Sequence, residues 1–345
     1  MNHIYDFIVI GAGISACTFA SSLNKRFPEA SILLVEHGRR VGGRSTTRQS
    51  RKNINFEFDH GLPSFSFSKS ISQDLLTLIS PLINSNKLID ISNKVFLINE
   101  FGQIDPFSND EKIYRGFPFM INFCEGIINQ SINPKKISFL YQIIIKSIIR
   151  KNNTWELPIK NQEFIKAKNL ILSSSLIAHP RCLDILNINS LPLRDAFIQG
   201  NDEIVDSVLI KTSKQEYIKR KNFILHVENS ESINKFAENY LQVCFSMAIK
   251  DTFNFERIIF QRQSNGSIII ILHCTYITEI FDINTENILE SLKVIFESSP
   301  KILNLFSHAS LIDKMEWRAS QPMNNLLPKH LQWSSSSNIG FCGDW

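Results

Sequence analysis

Long runs of any one character are what this sequence lacks. No stretch of about 18 or more uncharged apolar residues occurs, which excludes a bilayer-spanning helix by hydropathy. The first apolar run, Phe7–Ile10, breaks at Gly11, so no secretory leader is expected. The six cysteines (Cys17, Cys124, Cys182, Cys244, Cys274, Cys342) contain no Cys-x-x-Cys pair and no regular spacing. That argues against a zinc site and a disulfide framework, and fits a reducing, cytoplasmic compartment. Asn152-Asn153-Thr154 matches a glycosylation pattern but has no secretory context. His60, His179, His226 and His273 are scattered rather than set at ligand spacing, so no metal is expected. There is no G-x-S-x-G turn to support a Ser-His-Asp arrangement. Long unbroken Lys/Arg runs are absent from a chain of net charge +4. The densest basic patch is Arg39, Arg40, Arg44, Arg48, Arg51 and Lys52, directly after a glycine motif. A cofactor phosphate is its simpler partner than nucleic acid.

What is present is an ordinary globular composition, 43% hydrophobic and 20% charged, over 345 residues. That length exceeds what a single hydrophobic core supports, so two domains are expected. Residues 4–10 read as a short buried strand rich in β-branched and aromatic side chains. Gly11-Ala12-Gly13 turns the chain, and Ile14 to Asn24 places Ala16, Phe19, Ala20 and Leu23 at helical spacing. Pro28 closes the unit, and Ile32–Val35 reads as a second strand ending at Glu36. This is a β-α-β unit, the geometry of a parallel sheet with a right-handed crossover.

Gly11-Ala12-Gly13-Ile14-Ser15-Ala16 fits G-x-G-x-x-G/A. Gly11 permits the tight turn, Gly13 lets a pyrophosphate approach the backbone, and Ala16 lets helix and strand pack closely. The helix N-terminus would then offer N–H groups and its dipole to the phosphates. Glu36 lies 23 positions beyond Gly13, close to the roughly 20 expected of a carboxylate that binds a ribose diol. An acid there would repel a 2′-phosphate and disfavour NADP.

Further along, residues 70–85 suggest a helix, 86–105 short strands around Val95–Ile98, and Met120 to Asn129 a helix. Ile143–Arg150, Trp155–Pro158 and Phe164–Lys166 suggest a three-strand meander, and Leu170–Leu172 another buried strand. Ser207–Lys211, Phe223–Val227, Arg257–Gln261 and Ser267–Leu272 read as strands, and Ile288–Phe296 as a helix. No internal repeat or low-complexity linker marks a boundary, so the second domain is expected as an insertion.

Val35-Glu36 through Arg39-Arg40-Val41-Gly42-Gly43-Arg44 to Thr47 resembles the second characteristic segment of FAD-dependent amine-oxidase-like flavoproteins. Asp59-His60-Gly61 resembles the Asp-Gly turn that follows it. Ile145–Ile148 with Trp155–Leu157 resembles the strand pair whose backbone contacts the adenine, and Leu172–Pro180 stands at an Ala/Ser-x-Pro turn. Trp317–Pro322 and Gly340–Trp345 resemble the closing motif, in which an aspartate, here Asp344 after Gly343, bonds the ribityl chain. The Asp-His-Gly turn, the Trp-Arg-x-Ser-x-Pro run and the Cys-Gly-Asp-Trp ending are most similar to the renalase-like branch. In that family a last helix follows Gly-Asp and points at the flavin. The sequence stops at Trp345, so the resemblance implies a C-terminally truncated relative with weaker flavin binding.

The implied fold is α/β: a Rossmann-like FAD-binding domain, a parallel sheet with a β-meander crossover, and an inserted α+β substrate domain. Expected boundaries are 1–84, 130–200 and 320–345 for the first and 85–129 and 201–319 for the second. The implied activity is an FAD-dependent oxidoreductase taking a hydride onto flavin N5 from a small amine or dihydronicotinamide-like substrate. The alternatives are a catalytically impaired dinucleotide-binding flavoprotein and an NAD-dependent dehydrogenase. No side-chain catalyst is expected, since the cofactor carries such chemistry. His60 could face the flavin or be structural. Trp317 is expected to pack, or to shape a substrate pocket. Cys342 is expected to pack rather than to attach a flavin.

Overall fold

The computed structural model describes the chain apart from residues 1–2, 51–55, 68–70, 109, 160–162, 231–235, 237, 277–284 and 324–325. Arg51 and Lys52 of the basic patch lie outside the described residues. The chain divides into two units, Met1–Thr46, Ile121–Tyr217 and Gln321–Trp345 in the first and Thr47–Met120 and Ile218–Ser320 in the second. Among the described residues no helix is long and apolar enough to cross a membrane.

The first unit is built on a sheet ordered Ile137–Leu140, Ile32–Val35, Ile4–Ile10, Phe164–Leu172, Thr154–Pro158, Ile149–Lys151. The first four strands run parallel, and Ile339–Phe341 joins Leu170–Leu172, also in parallel. Its central strands are apolar on both faces: Ile8, Val9, Leu34, Leu170, Ile171 and Leu172 are buried. Such unbroken apolar runs are what a doubly covered parallel sheet requires. The helix Ile14–Arg26 buries Ala16, Cys17 and Ala20, small side chains that let it lie close to the sheet.

The strand read as Ile143–Arg150 is confined to Ile149–Lys151, while Phe164–Lys166 and Leu170–Leu172 are one continuous strand, Phe164–Leu172. Its first half pairs antiparallel with Thr154–Pro158 and its second half parallel with Ile339–Phe341. Ser207–Lys211 is not a strand. It lies within the helix Glu203–Ser213, which buries Val205, Val208, Leu209 and Thr212. That spacing is helical, and the β-branched residues there mimic a strand.

The second unit has a seven-stranded sheet ordered Ala309–Pro322, Tyr217–Val227, Ile268–Tyr276, Phe255–Arg262, Tyr240–Phe245, Val95–Ile98, Ile104–Pro106. One face (Phe223, Leu225, Phe260, Ile270, Leu272) packs with Ile288, Leu292, Leu305 and Phe306 of the helices Thr285–Ile295 and Pro300–Ser307. The other face carries Ile224, Ile259, Ile269 and Ile271 and meets Phe56, Phe58, Ile91 and Ile113. Residues 47–84 therefore belong with this unit, not with the first. Phe56 and Phe58 bury their rings in its core, and the helix Gln73–Asn84 contacts the strand Leu88–Asp90. Residues 121–129 and 201–217 belong with the first unit. The helix Ile121–Asn129 packs on Ile14–Arg26, and Val205 and Val208 lie in the first unit's core.

Asp202 fixes the start of the helix Glu203–Ser213. Its carboxylate accepts from the Ile204 and Val205 amides at 3.1 and 3.0 Å, and from the hydroxyls of Ser334, Ser336 and Ser337. Burial pushes this carboxyl up, but the hydroxyl and amide donors outweigh it and hold it below the usual range. Replacing Asp202 by Ala removes the cap and strands three hydroxyls, so it should destabilise the first unit by about 2 kcal/mol. Urea unfolding followed by circular dichroism measures this, with Asp202→Asn intermediate.

Candidate functional site

The buried strand Ile4–Ile10 ends at Gly11, whose φ is +104° and where a methyl group would lie 2.5 Å from Ser173 Oγ. Only glycine satisfies both the backbone angle and the space. Gly13 then caps the helix Ile14–Arg26 with no side chain, and the first intrahelical bond runs from the Cys17 amide to Gly13 O at 3.0 Å. No acidic residue occupies the first helical turn. The helix thus presents its positive end unobstructed, the arrangement that receives an anion.

A Cβ at Gly13 would meet nothing nearer than Gly42 O, at 4.0 Å. This is an open cradle rather than a packed turn. The second glycine loop closes its side. The Gly42 amide donates to Ala12 O at 2.7 Å, and a Cβ at Gly43 would stand 3.3 Å from Gly13 Cα. Gly42 has φ +114° and would press any side chain to 2.7 Å from Thr46 Cα. The two loops therefore meet backbone to backbone.

Glu36 extends the strand Ile32–Val35 and folds back over the turn. Its Oε2 accepts from the Ala12 amide at 2.8 Å and its Oε1 from the Gly38 amide at 2.6 Å. Beside it opens a cleft of about 220 Å³ lined by Gly11, Val35, Glu36, His37, Ile143–Ile145 and Ile177 among others. Ile145 is buried there. On the other side of the turn, a Cβ at Gly343 would lie 3.1 Å from Ser173 O and 3.3 Å from Ser15 Oγ. Asp344 forms an ion pair with Arg44, both partly exposed, and its backbone carbonyl accepts from Gln215 Nε2 at 3.3 Å. Gly11–Ala16, Glu36, Gly42–Arg44, Ile145, Gly343 and Asp344 are all in the first unit. Arg40 lines a separate cleft of about 380 Å³ with Arg39, Phe139 and Tyr141. Ser173 and Gln215 carry no motif that singles them out. Cys342 is not a ready nucleophile, because burial pushes its thiol up to about 12.

Asp59, His60 and Gly61 belong to the second unit. Asp59 accepts from Thr47 Oγ1 at 2.7 Å, the Met120 amide at 3.0 Å and Arg115 Nη2 at 2.6 Å. Burial pushes its carboxyl up, and Arg115 with the other donors acts in the opposite direction. His60 is 3% exposed and stacks on Trp317 with ring centroids 5.4 Å apart. Burial, reinforced by Arg48, lowers the His60 imidazole to about 3.

Residues 9–79 match the model of an NAD(P)-binding Rossmann-like domain. The uncharacterized protein MJ1450 of Methanocaldococcus jannaschii is 24% identical over 264 residues, 70% of this chain and 69% of that protein. An Exiguobacterium sp. 255-15 protein, whose description suggests a protoporphyrinogen oxidase, has a similar structure. Its TM-score is 0.58 at 9% identity, covering 97% of this chain and 92% of that one. A putrescine oxidase redesigned in its cofactor binding gives 0.55 at 10%, covering 90% and 84%. A Pyrococcus furiosus protein gives 0.57 at 12%, covering 98% and 91%. At these identities the likeness is one of fold. The chain has a mixed α/β fold with a Rossmann-like domain.

His60 and His273 are both kept neutral chiefly by burial. Each therefore contributes its full stability above the unfolded pKa of about 6.5 and loses it progressively as pH falls from there toward the folded value, about 3 for His60. Denaturation between pH 7 and 5 should show stability falling by up to about 1.4 kcal/mol per pH unit per imidazole, with His60→Gln removing one proton's share.

Proposed function

We propose that the chain is an FAD-dependent oxidoreductase. The observation that carries this is the open cradle at Gly13, beside a Glu36 carboxylate held 2.8 Å from the Ala12 amide. The residues fit the group. A diphosphate needs backbone N–H donors with no Cβ in the way, and the capless helix N-terminus at Gly13 supplies them. The ribose diol needs an acceptor at the end of the second strand, which Glu36 supplies. Its negative charge works against a 2′-phosphate. The cleft between Glu36 and Ile143–Ile145 offers apolar walls to an adenine.

Several features favour FAD over a nicotinamide dinucleotide. The Gly42-Gly43-Arg44 loop lies against Gly13, where it can guard the diphosphate. Arg44 and Asp344 are the side chains assigned to the phosphate and ribityl chain. Their mutual ion pair is exposed enough to be worth roughly 1 kcal/mol or less, so it yields to a ligand. The fold likeness to proteins described as oxidases supports the same reading, and Asp59-His60-Gly61, Trp317–Pro322 and Cys342–Trp345 favour the renalase-like branch. When bound, FAD would supply the hydride acceptor at N5, with oxygen or another acceptor taking the electrons on. The chain's own part is to hold and orient. Glu36 and the glycine turns fix the dinucleotide, and no proton-transferring side chain is required.

Protein incubated with FAD and gel-filtered should keep flavin absorbance, and NAD should give no comparable thermal protection. Gly13→Val should weaken FAD binding on the order of 100-fold. It should leave the unfolding midpoint nearly unchanged, because the added Cβ meets nothing nearer than Gly42 O at 4.0 Å. Colourless protein after FAD treatment, or unimpaired binding by the variant, rejects the reading.

A further inference from the structure

The sheet face of the second unit that carries Ile224, Ile259 and Ile271 turns polar at one end. Strand pairing sets Asn222 and Arg257 on either side of His273. His60 joins them, its carbonyl accepting from Asn222 Nδ2 at 2.5 Å and its ring stacked on Trp317. Asn222, His60 and His273 are 2%, 3% and 6% exposed. Among the described residues, five buried atoms of this group have no hydrogen-bond partner: Asn222 Oδ1, Arg257 Nε, His273 Nε2, His60 Nδ1 and Trp317 Nε1.

Each unpaired buried polar atom costs about 1–3 kcal/mol, and native interiors keep few of them. Five in one patch mark a place for a polar occupant, and charge and donor type select its class. Arg257 Nη2 pairs with Glu256 Oε1 at 2.5 Å, and the same carboxylate also pairs with Arg220. Glu256 therefore holds the Nη end of Arg257 and leaves its Nε as a donor without a partner. Arg257 Nε and Trp317 Nε1 can only donate, and Asn222 Oδ1 can only accept. Both imidazoles are neutral, so either can turn an N–H toward an anion.

We propose that this patch binds the carboxylate of a small, flat organic acid. Arg257 and Trp317 donate to the carboxylate, the His60–Trp317 stack flanks the flat portion, and Asn222 Oδ1 accepts from an N–H or O–H beside the acid group. The binding itself rests on the second unit's residues alone.

The test is isothermal titration of the full chain with benzoate, benzylamine and benzyl alcohol, with flavin content recorded by absorbance. Benzoate should bind at least tenfold more tightly than benzylamine, about 1.4 kcal/mol, and more tightly than the alcohol. Arg257→Gln should weaken benzoate at least tenfold. Trp317→Phe, which keeps an aromatic ring in the stack but removes the indole N–H together with the five-membered ring that carries it, should weaken it severalfold with far-ultraviolet circular dichroism unchanged. Benzylamine binding as well as benzoate, no benzoate binding, or benzoate binding indifferent to both variants would overturn the proposal. Benzoate binding by a protein that takes up no FAD would sink the flavin reading and leave the acid site standing. FAD uptake with indifference to benzoate would do the reverse.

Discussion

The carboxylate of Glu36 on the amide of Ala12 is the contact from which the first unit's site is organised. It ties the end of one strand to the turn that follows another, and so holds the helix N-terminus at a fixed place. Two glycine loops can then approach with only main chain between them. Any side chain at Gly11 would strike Ser173, and any at Gly42 would strike Thr46. Gly13 differs, because its missing side chain faces space. The distinction separates glycines that serve the fold from one that leaves room for a ligand.

A buried charge plays the organising part in the second unit. Asp59 gathers Thr47, Met120 and Arg115, whose guanidinium also lies 4.1 Å from the Tyr240 ring centroid. Desolvating such a pair is costly, and it persists because every oxygen has donors. Its effect is to fix the backbone just ahead of His60. The next residue therefore enters the unit at a defined position, with its ring against Trp317.

The parts legible in the sequence were those set by neighbours along the chain. The strand, turn and helix of residues 4–26, the strand ending at Glu36 and the helix near 73–84 follow from local periodicity and turn chemistry. The helix Glu203–Ser213 was not legible because its start is fixed by Asp202 with serines more than 130 positions away. Val205, Val208 and Ile210 meanwhile suit a strand equally well. The grouping of His60, Asn222, His273 and Trp317 had no local signal either. Asn222 reaches His60 across 162 positions, and only strand register sets it beside His273.

The strand Phe164–Leu172 has a temporal consequence. Its second half has one neighbour in Ile4–Ile10 and the other in Ile339–Phe341, which is made only after Ser320, the end of the second unit. Until those residues emerge, a row of amides and carbonyls at the heart of the sheet stays unsatisfied. By then the whole of the second unit has already left the exit tunnel. The first unit, although begun first, therefore cannot complete its sheet until the whole of the second has been synthesised.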